Sequence, residues 1–209
     1  MAAAARVQLP YPEAAVVDEE TLAAQSLALA RELPDRPIVV GGCCCAHVGA
    51  VEGLTARHGR IAVLWFDAHG DLNTIESSPS GNEWATPLRK LIDSGAVLAG
   101  DVALVGARNL DAPEEEFIAA AGVGLGASAV GDAFGETVGA YVAIDFDVFA
   151  ADEVAPFMPE PDGLSVTEVE TTLRSARERG PILGAGFTAF LSDDRNAPAV
   201  SRLARAAGF

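Results

Sequence analysis

Three side chains of metal-binding type stand at alternating positions in one short turn, residues 67–71 with the sequence DAHGD. They are Asp67, His69 and Asp71. The uncharged run 61–66 comes directly before them and predicts a strand buried on both faces of a sheet. Ligands of open parallel sheets bind beyond the carboxyl ends of the strands. The turn therefore predicts a ligand site at the end of a buried strand.

A second acidic pair, Asp145 and Asp147, follows the apolar run 141–144. Four ionised aspartates side by side in a dry pocket are unfavourable by several kcal/mol or more. Two divalent cations would offset these charges, and carboxylates are the ligands that hard cations prefer. Asp67 and Asp145 would then be shared by metals about 3.5 Å apart, and a water between them would ionise near neutral pH. The alternative is that Asp67 and Asp147 only cap helices or brace loops.

Strands and helices alternate along the rest of the chain. The predicted strands are 37–40, 61–66, 102–105, 140–146 and 181–187. The predicted helices are 19–33, 44–57, 84–93 and 113–121, followed by a helix capped at 165–168 and a last one from about 197. The predicted loops are 72–83 and 150–163. Asp18 is the predicted N-cap of the first helix, and Ser165 with Glu168 forms a capping box. Residues 122–139 show no assignable pattern. The alternation predicts an α/β fold of three layers: a doubly wound, mostly parallel sheet with helices on both faces.

Length and composition limit the class of protein. A chain of 209 residues, half of them apolar, predicts a single domain over 1–209. The net charge of −16 argues against nucleic acid and against anionic membrane surfaces as partners. No run approaches the roughly 20 apolar residues of a membrane span, and residues 1–6 are a poor signal peptide. The three cysteines are consecutive, at 43–45, and cannot form a disulfide framework, which predicts a cytoplasmic protein.

From residue 38 to residue 194 the chain resembles the ureohydrolases, the family of arginase, agmatinase and formiminoglutamase. The matching segments are 67–71 for the family's DAHxD box, 145–147 for its SxDxD box with Ala143 in place of Ser, 41–44 for its GGDH box, and 73–74 with 80–82 for the loop after the first acidic box. The resemblance implies an arginase-like fold, here short at the N-terminal end, and a trimer or hexamer of identical chains.

The resemblance also implies a centre of two divalent metal ions, normally Mn2+. The implied ligands are Asp67 and Asp145 for both metals, His69 and Asp147 for one metal, and Cys44 and Asp71 for the other. Asp71 would in addition accept a hydrogen bond from the bridging hydroxide and is the predicted catalytic residue. The substrate would be a small molecule.

The GG box departs from the family pattern, because Cys44 stands where the family has a histidine ligand. A thiolate is a soft ligand that suits Zn2+ or Fe2+ better than Mn2+. Alternatively, Cys44 is a small buried residue beside a weak or empty metal position. His47 lies three residues later on the predicted helix and is a second candidate for the missing ligand.

Two departures concern the substrate. Trp84 replaces the family's proton-shuttling histidine, so that a water or Glu83 would have to protonate the leaving amine. Leu191 replaces the glutamate that holds a guanidinium group, a contact typically worth about 1.5–3 kcal/mol. Unless Asp193 or Asp194 takes over that contact, arginine and agmatine are disfavoured as substrates.

The far end of the implied pocket follows the family more closely. Asn73, Ser80 and Asn82 resemble the residues that bind an α-carboxylate in arginases, and Asp111 stands where arginases place an acid against the α-amino group. The alternative for Asn73 and Ser80 is ordinary turn chemistry, since both residue types favour turns. These four residues are the predicted substrate-binding set.

Three hypotheses of function follow. The leading one is a metal-dependent hydrolase that breaks a non-peptide C–N bond in a linear amidine or guanidino compound. Its nucleophile would be a metal-bound hydroxide. The second is a degenerate member of the family that binds metal or ligand without turnover, which Trp84 and Leu191 favour. The third and weakest is a hydrolase of an unrelated amide, as in deacetylases of similar architecture.

Overall fold

The computed structural model describes residues 15–209. Its strands are β1 (Ile38–Val40), β2 (Ala62–Phe66), β3 (Val102–Val105), β4 (Gly124–Leu125), β5 (Ala140–Asp145) and β6 (Ile182–Thr188). Its α-helices are α1 (Leu22–Glu32), α2 (Ala46–His58), α3 (Pro87–Asp93), α4 (Ala112–Ala121), α5 (Val130–Phe134), α6 (Val166–Arg179) and α7 (Asn196–Ala207). The expectation about a signal peptide at 1–6 lies outside the described residues.

The six strands form one parallel sheet in the order β1-β6-β5-β2-β3-β4. The sheet is covered by helices on both faces, which confirms the predicted three-layer α/β fold. One hydrophobic cluster joins it to α5, α6 and α7, and the other joins it to α2, α3 and α4. Successive residues of β2 and β5 contribute to opposite clusters, and this is why both strands read as unbroken apolar runs.

The order of the strands reverses between β2 and β5. After β2 the chain adds β3 and β4 on one side, and after β5 it adds β6 on the other side. A crevice opens beyond the carboxyl ends of the strands at such a reversal, and open α/β sheets bind their ligands there. The two acidic motifs follow these two strands, so both reach the same crevice.

The boundaries differ from the sequence prediction in a few places. The prediction of Asp18 as an N-cap is wrong, because α1 begins at Leu22 and the side chain of Thr21 accepts the N–H of Ala24. The segment 122–139 holds the two-residue strand β4 and the short helix α5, which are too short to show a period in the sequence. The Ser165–Glu168 capping box is confirmed. Over residues 15–209, no helix is long and apolar enough to cross a membrane.

Candidate metal centre

The acidic motifs meet at the carboxyl ends of β2 and β5. Phe66 pairs with Ile144 in the parallel register, so the residues that follow, Asp67 and Asp145, lie side by side. Asp147 sits two residues further on, in a single turn of 3-10 helix. All three aspartates are buried. The sheet therefore brings carboxylates from two motifs, far apart in sequence, into one pocket.

Each of these aspartates uses one oxygen to brace the backbone. Asp67 Oδ1 accepts the N–H of His69 at 2.7 Å, Asp145 Oδ1 accepts that of Asp147 at 2.9 Å, and Asp147 Oδ1 accepts that of Ala68 at 3.0 Å. The loop-bracing interpretation of Asp67 and Asp147 thus holds for one oxygen of each residue. The second oxygens contact side chains of the same pocket: Oδ2 of Asp67 and of Asp145 lie near the sulfur of Cys44, and Oδ2 of Asp147 lies near Nδ1 of His69.

Asp71 is held in a strained conformation. Its φ is +52°, in the left-handed region that non-glycine residues rarely adopt, and such strain collects at functional sites. The residue is only 5% exposed, and its Oδ2 atom has no hydrogen-bond partner among residues 15–209. A buried carboxylate oxygen without a partner is costly. The fold therefore keeps an unsatisfied acceptor in this pocket.

The pocket is strongly unfavourable to negative charge. Burial, reinforced by the charges of neighbouring aspartates, raises the pKa of Asp67 to about 6 and holds the pKa values of Asp71 and Asp145 well above the usual range. Hydrogen bonding to Asp147 and then to Asp67 raises the pKa of His69 to about 11. Only protons or cations can neutralise such a group of carboxylates.

The donor atoms form two groups that share Asp67. One consists of Cys44, Asp67 and Asp71, and the other of Asp67, His69 and Asp147; within each group the donor atoms lie within 4.8 Å of one another. Asp145 adjoins the first group, because its Oδ2 lies 3.1 Å from the sulfur of Cys44. The unsatisfied oxygen of Asp71 and the mixture of carboxylate, imidazole and thiol donors fit a pair of divalent cations.

Cys44 reaches this pocket from the turn between β1 and α2. Its sulfur lies 3.5 Å from Asp67 Oδ2 and 3.3 Å from Thr188 Oγ1, the last residue of β6. Burial, followed by the charge of Asp145, raises the pKa of the thiol. A metal at this position would have to displace the thiol proton before the sulfur could act as a ligand.

His47 is not at the centre, and the prediction that offered it as a substitute ligand is wrong. Its ring is completely buried, with hydrogen bonds of 3.0 Å between Nδ1 and Tyr141 Oη and 3.2 Å between Nε2 and Thr188 Oγ1. Burial lowers its pKa to about 3, so the ring is neutral. Both ring nitrogens are occupied by protein partners, which leaves neither for a metal.

Trp65 and Thr188 support the ligand residues in ways that the sequence analysis missed. The indole Nε1–H of Trp65 donates to Asp67 Oδ2 at 3.2 Å, and Thr188 links Cys44 to His47. Partners of this kind fix the orientation of metal ligands. The available signal was positional: Trp65 lies two residues before Asp67 on the same side of the chain, and Thr188 pairs with Asp145.

The acidic turn is anchored by Glu114 of α4, another residue that the sequence analysis missed. The buried carboxylate accepts the N–H of Leu72 through Oε1 and the N–H of Asp111 through Oε2, each at 3.0 Å. It also passes so close to Gly70 that a Cβ added there would lie 2.7 Å from Oε1. A side chain at position 70 would therefore have to displace this carboxylate from the turn.

Replacing Glu114 by Gln is expected to lower the free energy of unfolding by about 1–3 kcal/mol, because one of the two buried N–H groups loses its acceptor. Urea unfolding of the chelator-treated protein measures this change. Glu116→Gln, at an exposed position of the same helix, is the matched control and should change stability by less than about 0.5 kcal/mol. Equal stability of the two variants would show that Glu114 does not anchor the turn.

The predicted substrate residues are not equally placed. Asn73 is buried, its amide donating to Asp111 Oδ2 at 2.8 Å and accepting from Ser77 Oγ at 2.9 Å. Ser80 is exposed, and its hydroxyl accepts the N–H of Asn82 at 3.2 Å. The contact of Asn73 with Asp111 braces the turn against α4. The substrate roles of these residues stay predictions.

The two residues that replace the family's substrate-handling histidine and glutamate both have exposed apolar side chains. Trp84 is 48% exposed in a single 3-10 turn, Glu83–Ala85, and Leu191 is 47% exposed after β6. Asp193 does not stand free to replace the missing glutamate, because Arg195 donates to both of its carboxylate oxygens, at 2.9 and 3.1 Å. Of the two proposed replacements, only the exposed Asp194 is left.

The sequence is similar to known proteins of one family. A family model described as the Arginase family matches residues 3–190. An arginase of Staphylococcus aureus (strain COL) is 38% identical over 92 residues, which are 39% of this chain and 30% of that protein. The aligned stretch thus spans under a third of the relative's length.

Solved structures match over most of the chain. The crystal structure of arginase from Bacillus cereus superposes with a TM-score of 0.81 and 26% identity, covering 89% of this chain and 77% of that one. Formimidoylglutamase from Bacillus subtilis superposes with a TM-score of 0.74 and 18% identity over 89% of this chain and 64% of that one, a similarity of fold alone.

Proposed function

Since the chain belongs to the arginase family, we propose that it is a metal-dependent hydrolase of a non-peptide C–N bond in a linear amidine or guanidino compound. The observation that carries the proposal is the pair of donor groups that share Asp67. Cys44, Asp67, Asp71 and Asp145 would hold one divalent cation, and Asp67, His69, Asp145 and Asp147 the other. Mn2+ is the metal that the family resemblance favours, and the thiol of Cys44 favours Zn2+ or Fe2+.

When bound, the cations supply positive charge that polarises the substrate and acidifies a water molecule. The chain itself contributes orientation. Asp71 Oδ2 is the one buried carboxylate oxygen without a hydrogen-bond partner in the described chain, so it can accept a hydrogen bond from an attacking water. Such an acceptor aims the lone pair of the water at the amidine carbon.

Protonation of the leaving amine takes a different route from the family pattern. The indole of Trp84 cannot exchange a proton near neutral pH. The exposed carboxylate of Glu83 precedes it and lies 3.9 Å from the ammonium group of Lys90. The proton must therefore come from solvent or from Glu83. With Leu191 in the position of the guanidinium-binding glutamate, a neutral or less basic amidine fits the chain better than arginine.

The experiment measures metal content and turnover together. The purified chain is analysed for Mn, Zn and Fe, and then incubated with guanidino and formimino compounds, with urea, formamide and ammonia as the detected products. The proposal expects two metal ions per chain and release of one of these products. Reloading after chelation should restore both.

The second candidate, binding without turnover, is favoured by the exposed apolar side chains Trp84 and Leu191. It expects metal binding with no product from any compound in the panel. One metal or none, without turnover, would contradict the hydrolase.

A further inference from the structure

The two ring nitrogens of His69 face different partners. Nδ1 lies 3.0 Å from Asp147 Oδ2 and 3.4 Å from Asp67 Oδ1, inside the candidate metal centre. Nε2 points the other way and lies 3.5 Å from Oε1 of Glu160, whose side chain is 20% exposed. Glu160 is in the long loop between β5 and α6, outside all the motifs that define the centre. The sequence assigned it no role.

The loop that carries Glu160 is fixed rigidly to the metal centre by Arg108. The guanidinium donates to the carbonyl oxygens of Asp147 at 2.7 Å, Pro161 at 2.6 Å and Glu160 at 3.2 Å. It also donates to the carbonyl of Gly106, just after β3, at 3.0 Å and to that of Val148, near the start of the loop, at 3.4 Å. One side chain thus ties the backbone of Glu160 to the backbone of a candidate ligand.

Two prolines, at 159 and 161, flank Glu160 and restrict its backbone further. A pinned, stiff loop restricts the positions that the carboxylate of Glu160 can take beside Nε2 of His69. A loop whose backbone is already restricted has less conformational entropy to lose when one of its side chains forms a hydrogen bond, so the contact costs less to make.

A histidine that binds a metal through one nitrogen keeps a proton on the other. An acceptor for this N–H fixes the tautomer and the plane of the ring and makes the ligating nitrogen more basic. With Nδ1 facing the aspartates, Nε2 is the nitrogen left for an outer partner, and Oε1 of Glu160 lies 3.5 Å from it. The carboxylate has the correct charge to accept the Nε2–H once a metal orients the ring.

We infer that Glu160 is a positioning residue for the metal centre, which orients His69 through its Nε2–H and strengthens metal binding by the group Asp67, His69 and Asp147. This inference rests on the proposed function, since it presumes that His69 is a ligand. It adds an outer partner that none of the predicted site residues includes, held in place by Arg108.

The test is a titration of the chelator-treated full-length chain with Mn2+, followed by calorimetry. Glu160→Gln is expected to weaken one of two binding events by roughly 10–100-fold and to leave the other unchanged. Asp162→Asn is the matched control: it removes the same charge two residues away at an exposed position, and asparagine tolerates the positive φ of +58° found there. The control should bind Mn2+ as the parent chain does.

A double-mutant cycle with His69→Ala separates orientation of the ring from a general effect on the fold. If Glu160 acts through His69, the change Glu160→Gln has no further effect on Mn2+ affinity once His69 is absent. The melting temperature of the metal-free chain should stay the same in Glu160→Gln and in the control.

Three possible results distinguish failure of the inference about Glu160 from failure of the proposed function. Two binding events of parental affinity in Glu160→Gln would overturn the inference and leave the proposed function intact. A further loss of affinity in the double variant, by the same factor as in the single one, would also overturn it. A parent chain that binds no Mn2+, Zn2+ or Fe2+ would overturn the proposed function, and the inference with it.

Discussion

Asp145→Asn is expected to abolish binding of both metal ions while stabilising the metal-free protein. Asp145 is buried beside the first donor group, and its Oδ2 lies 3.1 Å from the sulfur of Cys44. Asparagine keeps the shape and the Oδ1 acceptor for the N–H of Asp147 but carries no charge. Loss of the shared carboxylate should weaken metal binding by more than about 100-fold, the upper end of what loss of an outer partner costs.

The gain in stability of the metal-free variant depends on pH in a defined direction. Burial, and then the charges of Asp67 and Asp147, raise the pKa of Asp145 in the folded chain above its unfolded value. An acid shifted in this direction favours the fold fully only below its unfolded pKa of about 3.9, and that contribution is lost as the pH rises through the folded pKa. At pH 7.5 the metal-free parent therefore carries a penalty that Asp145→Asn removes. Near pH 4 the two chains should be about equally stable.

Metal analysis after dialysis and thermal melting at pH 4 and pH 7.5 measure both effects. Asp132→Asn, an exposed substitution in α5, is the control and should change neither. A variant that retains two metals would refute the shared-ligand role of Asp145. A variant that loses metal and is also less stable without it would show that Asp145 is needed for folding rather than tolerated for binding.

The candidate ligands could be predicted because buried parallel strands are easily recognised in a sequence. The runs before Asp67 and Asp145 are apolar on both faces, and the strands they form are neighbours in the sheet. Polar residues just beyond such strands reach the same crevice. The pairing of β2 with β5 was not predicted, since no local pattern fixes strand order.

His47 shows why helical spacing misled the sequence analysis. His47 shares a helical face with Cys44 only if both residues are helical. The helix α2 begins at Ala46, so Cys44 lies in the preceding turn and directs its sulfur to the strand ends. His47 lies in the first turn of the helix and packs edge-on against Trp65 and Tyr141. An error of two residues in a helix start was enough to change the assignment.

The roles of Glu114, Arg108 and Glu160 at the site could not be predicted, because each depends on a contact with a segment distant in sequence. Arg108 donates to carbonyl oxygens of the loop after β5, Glu114 accepts the N–H of Leu72, and Glu160 lies beside His69. Only the local capping box of Glu114 with Asp111 leaves a pattern in the sequence. The distant contacts become visible only when the path of the chain is known.

Cys44→His is expected to raise Mn2+ affinity by about 10-fold or more. Burial, with the charge of Asp145, holds the pKa of the Cys44 thiol well above its usual range, so binding must first displace a proton near neutral pH. An imidazole has an unperturbed pKa near 6.5, below that of a thiol, so a metal displaces its proton more easily near neutral pH. It is also a ligand of intermediate softness, better suited to Mn2+ than a thiolate is.

Calorimetric titration in two buffers of different ionisation enthalpy measures both the affinity and the number of protons released. The parent chain should release more protons per Mn2+ than Cys44→His does, because the thiol proton is no longer displaced. Cys44→Ser, which keeps the size of the side chain but removes the sulfur, should bind Zn2+ more weakly than the parent. Cys43→His, one residue earlier at a half-buried position outside both donor groups, is the control and should leave the affinity for Mn2+ unchanged.

The direction of the Cys44 result decides between the two interpretations of this residue. If the sulfur is a ligand, histidine and serine must shift metal binding in opposite senses, since one supplies a donor that gives up its proton more easily and the other removes the thiolate. If Cys44 only fills space beside Asp67 and Asp145, both substitutions leave the metal affinity unaltered. Its position 3.1 Å from Asp145 Oδ2, at the end of β5, makes the first outcome the expected one.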